Sequence, residues 1–481
     1  MAMLESQPSL SKSIPWFCFM LCSGYLFHIT INPAFRVNIA VQIVNHELTA
    51  APIIFNIFSH YTSMGKTIIE KIFQNHSGDE IRAGDVAWID LDVRTARDFG
   101  GPNVVKHLRE NYDGNYLEDP EKTYFTFDLS VPAKTIKYAI NQQICRKFAR
   151  ETEMNIFDVD EGIGTHVLIE KGIVTPGSTA VGTDSHYNIL GAVGAFGQGM
   201  GDTDIAFAFK TGRTWFEVPE TMKINVEGIY DWPSTPRDLT FAVMKELGSS
   251  GMLGMAAEYY GEAIENLSLD GRITLASQTT EMGGIIAFIP PDDNVLKFVS
   301  MRAGKEVKGV YADKDAEYVK EVHIDVDKLE PMVASPPKPT NISPVSDMEG
   351  MEIDSVFIGS CTNGRYEDLL AAAKILKGRK VKKGVNLRIT PSTKEVWAKA
   401  IKDGLVDIFI NAGAVVFTNP GCGGCAEGMP GLVGKDEIEL STTNRNYKGK
   451  QGPGKIYLVS PVTAAASAVN GYLTSAEEVR D

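Results

Sequence analysis

Along most of the chain, segments whose apolar side chains fall at helical spacing trade places with short alternating or wholly apolar runs. The stretch "MGKTIIEKIFQNHSGDEIRAGDVAWIDLDV" (64–93) has an amphipathic helix pattern, then a turn, then an alternating strand. "VPAKTIKYAINQQICRKFARE" (131–151) repeats the three-and-four spacing and predicts a helix, within which Cys145 reads as a core thiol. "TMKINVEGIYDWPSTPRDLTFAVMKELG" (221–248) predicts a strand, a proline-rich turn and a helix that open a second unit near residue 222. "SVFIGSC" (355–361) is an apolar strand ending on a cysteine, and "YEDLLAAAKILKG" (366–378) is a strong helix. With glycines at the junctions, this alternation predicts an α/β fold.

Two stretches break the pattern. Residues 1–63 carry only Glu5, Lys12, Arg36 and Glu47 as charged side chains, which suits a signal peptide or membrane anchor. Pro15, His28, Asn32 and Pro33 interrupt the apolar run, so the expectation is an extension outside the core, with the natural start at Met64. A targeting segment and a folded part of the protein stand as alternatives, and Cys18 and Cys22 are set aside from the chemistry. Further on, "MVASPPKPTNISPVSDMEGMEID" (332–354) has four prolines and little periodicity, and predicts a linker. The expected domains are 64–222, 223–335 and 351–481, with the linker at 336–350.

Composition narrows the function classes. At 481 residues the chain is too long for one ordinary core. Its 43% hydrophobic and 22% charged residues are those of a globular protein. A net charge of -14 argues against nonspecific binding to nucleic acid or to an anionic membrane, though not against an anionic substrate held by local cations. The cysteines Cys18, Cys22, Cys145, Cys361, Cys422 and Cys425 are too sparse for a disulfide framework. They suit a reducing compartment, so a cytoplasmic location is expected.

Cys361 ends its strand in "FIGSCTNGR", at the carboxyl edge of a sheet, where α/β proteins build sites. Cys422 and Cys425 lie in "TNPGCGGC", a loop able to wrap closely around an inorganic group. Three candidate ligands are one short of a closed structural zinc site. From the spacing alone a structural role, zinc, a cluster and a redox pair all remain open. "GAFGQGMGDTD" has glycines but neither the spacing nor the later acid of a dinucleotide fingerprint.

Longer stretches decide. "VGTDSHYNILGAVGAFGQGMGDTDIAFAFKTGRTWFEVPE", "FIGSCTNGRYEDL", "NPGCGGCAEG", "STTNRNYKGKQG" and "YLVSPVTAAASAVNGYL" resemble the aconitase family. Within it they resemble the large subunits of the 3-isopropylmalate dehydratase, homoaconitase and dimethylmalate dehydratase branch, over essentially Met64–Asp481. The resemblance implies a three-domain α/β/α architecture around a 4Fe-4S cluster held by Cys361, Cys422 and Cys425, with the fourth iron lacking a protein sulfur. Carried over residue by residue, it pairs His166 with Asp184 and His186 with Glu281 for proton traffic. Arg97, Ser185, Arg445 and Lys450 are expected on the substrate, and Asn363 and Asn446 near the cluster.

Departures from the family pattern bear on the substrate. Leu129 follows Asp128 where relatives carry histidine, Arg97 stands where many have glutamine, Lys450 replaces an arginine and Ser277 replaces asparagine. The family's swivelling domain, with its catalytic serine, has no counterpart in the sequence, so a separate small subunit is expected to complete the site. The expected activity is reversible dehydration of a malate-like 2-hydroxy diacid, with 3-isopropylmalate first and dimethylmalate or homocitrate-type acids behind it. A non-catalytic relic and an RNA-binding cluster protein are the alternatives of another class, the second disfavoured by the acidic charge.

Overall fold

The computed structural model describes residues 16–22, 25–31, 37–43, 65–425 and 431–479. They belong to two units, Met1–Met64 and Gly65–Asp481. In the first, strands Trp16–Cys22, Tyr25–Ile31 and Val37–Ile43 pair antiparallel as a meander, Trp16 opposite Ile31 and Tyr25 opposite Ile43. The extension expected over 1–63 therefore contains strands; the rest of it lies outside the described residues. No helix among the described residues is long and apolar enough to cross a membrane.

The second unit opens with helix Ile68–Ser77. Thr67 and Glu70 form a capping box at its start, and Gly78 in the left-handed conformation ends it. Its face of Ile68, Ile69, Ile72 and Phe73 is fully buried, each side chain contributing roughly 1.5–3 kcal/mol of burial. Strand Val86–Asp90 follows as the alternation predicts, pairing antiparallel with Arg213–Glu217.

Three larger sheets carry the unit. The first is all parallel, in the order Asn155–Phe157, Thr123–Thr126, Val93–Arg97, Thr179–Gly182, Phe196–Gly199. Helices Gly101–Asn111, Ile136–Thr152 and Asp202–Thr211 share a core with it through Val104, Leu108, Phe125, Phe148 and Phe209. Cys145 lies in this core, where burial pushes its thiol far above the ordinary value. The second sheet is also parallel, in the order Ile286–Phe288, Ala256–Tyr260, Thr221–Glu227, Lys320–Asp325.

The third sheet has seven strands, Ile342–Pro344, Met332–Ala334, Lys455–Leu458, Ile438–Ser441, Ser355–Ile358, Asn386–Ile389 and Val415–Val416 in that order. The last five are parallel, and the first two add antiparallel at one edge. The span expected as a linker, 336–350, contains one of these strands. Ile342–Pro344 is an edge strand, a place that tolerates its proline because no neighbour needs that N–H.

Candidate active site

Residues just beyond the carboxyl ends of the parallel strands meet in one place. Arg97 ends strand Val93–Arg97, Asp128 follows Thr123–Thr126, and Asp184 follows Thr179–Gly182. From the third sheet come Cys361, just past Ser355–Ile358, and the loop with Cys422 and Cys425, past Val415–Val416.

The backbone around the thiols is tightly specified. Gly423 has φ 58°, and a Cβ there would meet Thr390 Oγ1 at 2.5 Å; at Gly421 it would meet the carbonyl oxygen of Asp128 at 2.7 Å. The Cys422 N–H donates to that same carbonyl at 2.9 Å, and the Gln451 side chain donates to the Gly424 carbonyl at 2.8 Å. Cys361 sits in the short helix Ser360–Asn363, whose first residue has φ 79°. Its thiol donates to Asn444 Oδ1 at 3.4 Å, while Asn444 Nδ2 donates to the Ser277 carbonyl at 3.2 Å. Ser277 Oγ in turn lies 2.9 Å from Thr362 Oγ1, so the departure at 277 braces the helix that carries Cys361.

All three thiols are buried in one apolar cluster with Ile163, Tyr187 and Ala276. Burial pushes the Cys361 and Cys422 thiols well above their ordinary value. Among the described residues, no three His, Cys, Asp or Glu side chains are close enough together to hold one metal ion. The three thiols pack into one buried cluster, and thiolates are the donors an iron–sulfur cluster takes.

Around the thiols lie charged groups. Arg97 places Nε 2.6 Å from Asp128 Oδ1, Nη1 3.2 Å from Asp184 Oδ1, and Nη2 2.9 Å from Cys422 Sγ. Asp128 also accepts from the Gly164 N–H at 2.9 Å. Desolvation raises its carboxyl to about 7 in spite of Arg97. Sequence reading noted Asp128 only for its missing histidine neighbour; nothing local marks it as the residue that ties Arg97 to the cysteine loop.

His186 Nε2 lies 2.9 Å from Glu281 Oε1, and Arg445 Nε lies 2.9 and 3.1 Å from the two oxygens of the same carboxylate. Burial pushes the Glu281 carboxyl up, but His186 and Arg445 outweigh it and hold the group below the usual carboxylate value. The Asp184 Oδ1 oxygen accepts the His186 N–H at 3.1 Å, and Ser185 Oγ lies 3.4 Å from His186 Nδ1.

His166 differs from expectation. It is fully buried, and Nε2 lies 3.0 Å from the Cys361 carbonyl rather than against Asp184. Asp184 is instead committed to Arg97 and the His186 backbone, which corrects the predicted pair. A carbonyl can only accept, so Nε2 carries the proton and Nδ1 is the lone-pair nitrogen, which has no protein partner. Desolvation and the Arg365 charge hold the imidazole down to about 3, so it is neutral at physiological pH. Arg365 is itself fixed by Glu170 Oε1 at 2.5 Å and Asp270 Oδ1 at 2.9 Å, a buried network the sequence did not signal.

The remaining predicted residues are less engaged. Asn446 Nδ2 donates to the Ala334 carbonyl at 3.1 Å and Asn363 Nδ2 to Asp368 Oδ1 at 2.9 Å, and each leaves a buried Oδ1 without a partner. Lys450 lies in the bend Gly449–Gly452, and its ammonium has no partner among the described residues.

Buried thiols beside a neutral histidine and a carboxylate-bridged His–Arg pair are the equipment of a hydro-lyase rather than of a structural metal site. The family model described as the aconitase family (aconitate hydratase) matches residues 70–471, and the chain belongs to this family of hydro-lyases, whose members carry a 4Fe-4S cluster. The 3-isopropylmalate dehydratase large subunit 1 of Methanopyrus kandleri is 42% identical over 414 residues, 85% of this chain and 99% of that relative. The 3-isopropylmalate dehydratase large subunit of Heliobacterium modesticaldum is 43% identical, covering 86% and 100%. The methanogen homoaconitase large subunit of Methanocaldococcus jannaschii is 41% identical, covering 85% and 99%.

Proposed function

We propose that the chain is the cluster-bearing large subunit of a dehydratase that acts on a 2-hydroxy dicarboxylic acid, with 3-isopropylmalate as the leading substrate. The observation that carries this reading is the meeting of Cys361, Cys422 and Cys425 in one buried cluster, with His166 Nε2 bonded to the Cys361 carbonyl. Held by these thiolates, a 4Fe-4S cluster supplies an iron without a protein sulfur, a Lewis acid for the substrate's hydroxyl and carboxylate.

The chain's own residues do the rest. The Arg445 Nη groups have no partner among the described residues, and a guanidinium fork fits a substrate carboxylate. Glu281, accepting from Arg445 Nε, fixes the plane of that fork and the tautomer of His186 together. His186 is then placed to pass a proton to or from the departing hydroxyl, and neutral His166 accepts a hydrogen bond from substrate or water through Nδ1. Ser185 and Lys450 line the substrate side, with Asn363 and Asn446 toward the cluster.

The relatives' designation as large subunits supports a separate small subunit, which in this reading brings the serine base for the carbon-bound proton. The test is an anaerobic screen of 3-isopropylmalate, homocitrate-type acids and dimethylmalate with the reconstituted two-subunit enzyme. The highest kcat/KM is expected on 3-isopropylmalate. Preference for a longer acid would move the assignment to the homoaconitase branch, which the Methanocaldococcus jannaschii relative represents.

A further inference from the structure

Arg97 is expected on the substrate, but its surroundings suggest another task. Its side chain is 12% exposed, and each of its three nitrogens faces a protein atom. One carboxylate holds Nε and another holds Nη1, which aims Nη2 at the Cys422 sulfur.

The aim is reinforced from the other side. Asp128 binds Arg97 through its carboxylate and receives the Cys422 N–H through its backbone carbonyl. The carboxylate is pinned in turn by the Gly164 N–H. Asp128 thus fixes donor and acceptor at once, in a loop where neither Gly421 nor Gly423 has room for a Cβ. A guanidinium is charged at every accessible pH, and its hydrogen bond to a ligand sulfur withdraws electron density from the bond between sulfur and metal.

We propose that Arg97 is a positioning residue for the cluster: it donates a charge-assisted hydrogen bond to the sulfur of Cys422 and so sets the reduction potential and the strength of that cysteine's bond to iron. The inference rests on the cluster reading given above. Glutamine at this position would carry no charge and have a shorter reach, so it would hold the Cys422 corner differently.

The test compares wild-type, R97K and R97Q holoproteins, each reconstituted anaerobically with iron and sulfide and with the small subunit present. It reads the iron–cysteine stretching band by resonance Raman, the cluster midpoint potential, and KM and kcat. Expected for R97Q are a shifted stretching band, a more negative potential, and a fall in kcat larger than any rise in KM. R97K, which keeps the charge and loses the fork, is expected to shift the band with a smaller change in potential. Variants that keep their far-UV circular dichroism yet lose iron also support the role. An unmoved band and potential with KM raised more than tenfold would overturn it and return Arg97 to the substrate. Variants that lose their circular dichroism would overturn it too, by making Arg97 a folding residue. A wild-type protein that takes up no cluster would instead sink the parent reading, so the two failures are distinct.

Discussion

His186 Nε2 approaches Glu281 Oε1 at 2.9 Å, and Arg445 holds the same oxygen from its other side at 2.9 Å. One buried carboxylate therefore orients the proposed proton carrier and the proposed carboxylate receptor together. Removing its charge disturbs both, which separates it from a residue that serves only one. For Glu281→Gln, kcat is expected to fall on the order of a hundredfold or more, with KM rising as well. Steady-state kinetics on the reconstituted enzyme checks this, and an unchanged kcat would make the bridge purely structural.

Arg445 isolates the binding part. Arg445→Lys keeps a positive charge but loses the fork and the Nε contact with Glu281. KM is expected to rise roughly 10- to 100-fold, the scale of one charge-assisted hydrogen bond, with a smaller change in kcat. A mono-acid analogue lacking the bound carboxylate should discriminate poorly between wild type and variant.

His166 gives a pH prediction with a definite sign. Its folded-state value of about 3 lies below the ordinary 6.5, so between those pH values the unfolded chain binds a proton that the folded chain refuses. The associated stability is fully present above pH 6.5 and is lost as pH falls toward 3, up to roughly 5 kcal/mol for a shift of this size. Urea unfolding of the cluster-free protein measures it. His166→Gln, which keeps a side-chain donor for the Cys361 carbonyl but cannot titrate, is expected to lose less stability than wild type between pH 6.5 and 4.

Leu129 tests specialisation. It packs, half-buried, against the cluster of residues that includes the three cysteines, and its N–H donates to Asp98 Oδ1 at 3.3 Å. Leu129→His supplies the histidine that the family pattern leads one to expect and is expected to raise turnover of 3-isopropylmalate. An equal or lower rate would show that the apolar side chain suits a different diacid.

What was legible in the sequence follows the range of the interactions. Helix Ile68–Ser77, helix Ile136–Thr152 and strand Ser355–Ile358 are written in local periodicity, and the structure has them where the pattern puts them. The approach of His186 to Glu281 comes from family motifs, because a separation of 95 positions carries no periodic signal of it. The contact between Arg97 and Cys422 spans 325 positions and depends on two sheets meeting, so the sequence could mark Arg97 as unusual but not say what it touches. His166 meets the Cys361 carbonyl rather than Asp184 for the same reason, since which of several acceptors a buried imidazole meets is decided by packing. The short strands within the proline-rich 332–354 are not legible, because low periodicity is shared by linkers and short edge strands.

In the proposed enzyme Cys361, Cys422 and Cys425 hold a cluster with one iron open to the substrate. Mössbauer spectroscopy of the anaerobically reconstituted protein, with and without a hydroxy diacid, tests it most directly. Iron and sulfide are expected in equal amounts, with a single iron subsite whose signal changes when the diacid binds and with cluster content lost in Cys422→Ser. Bound iron without sulfide, or a spectrum in which no subsite responds to the diacid, would contradict it.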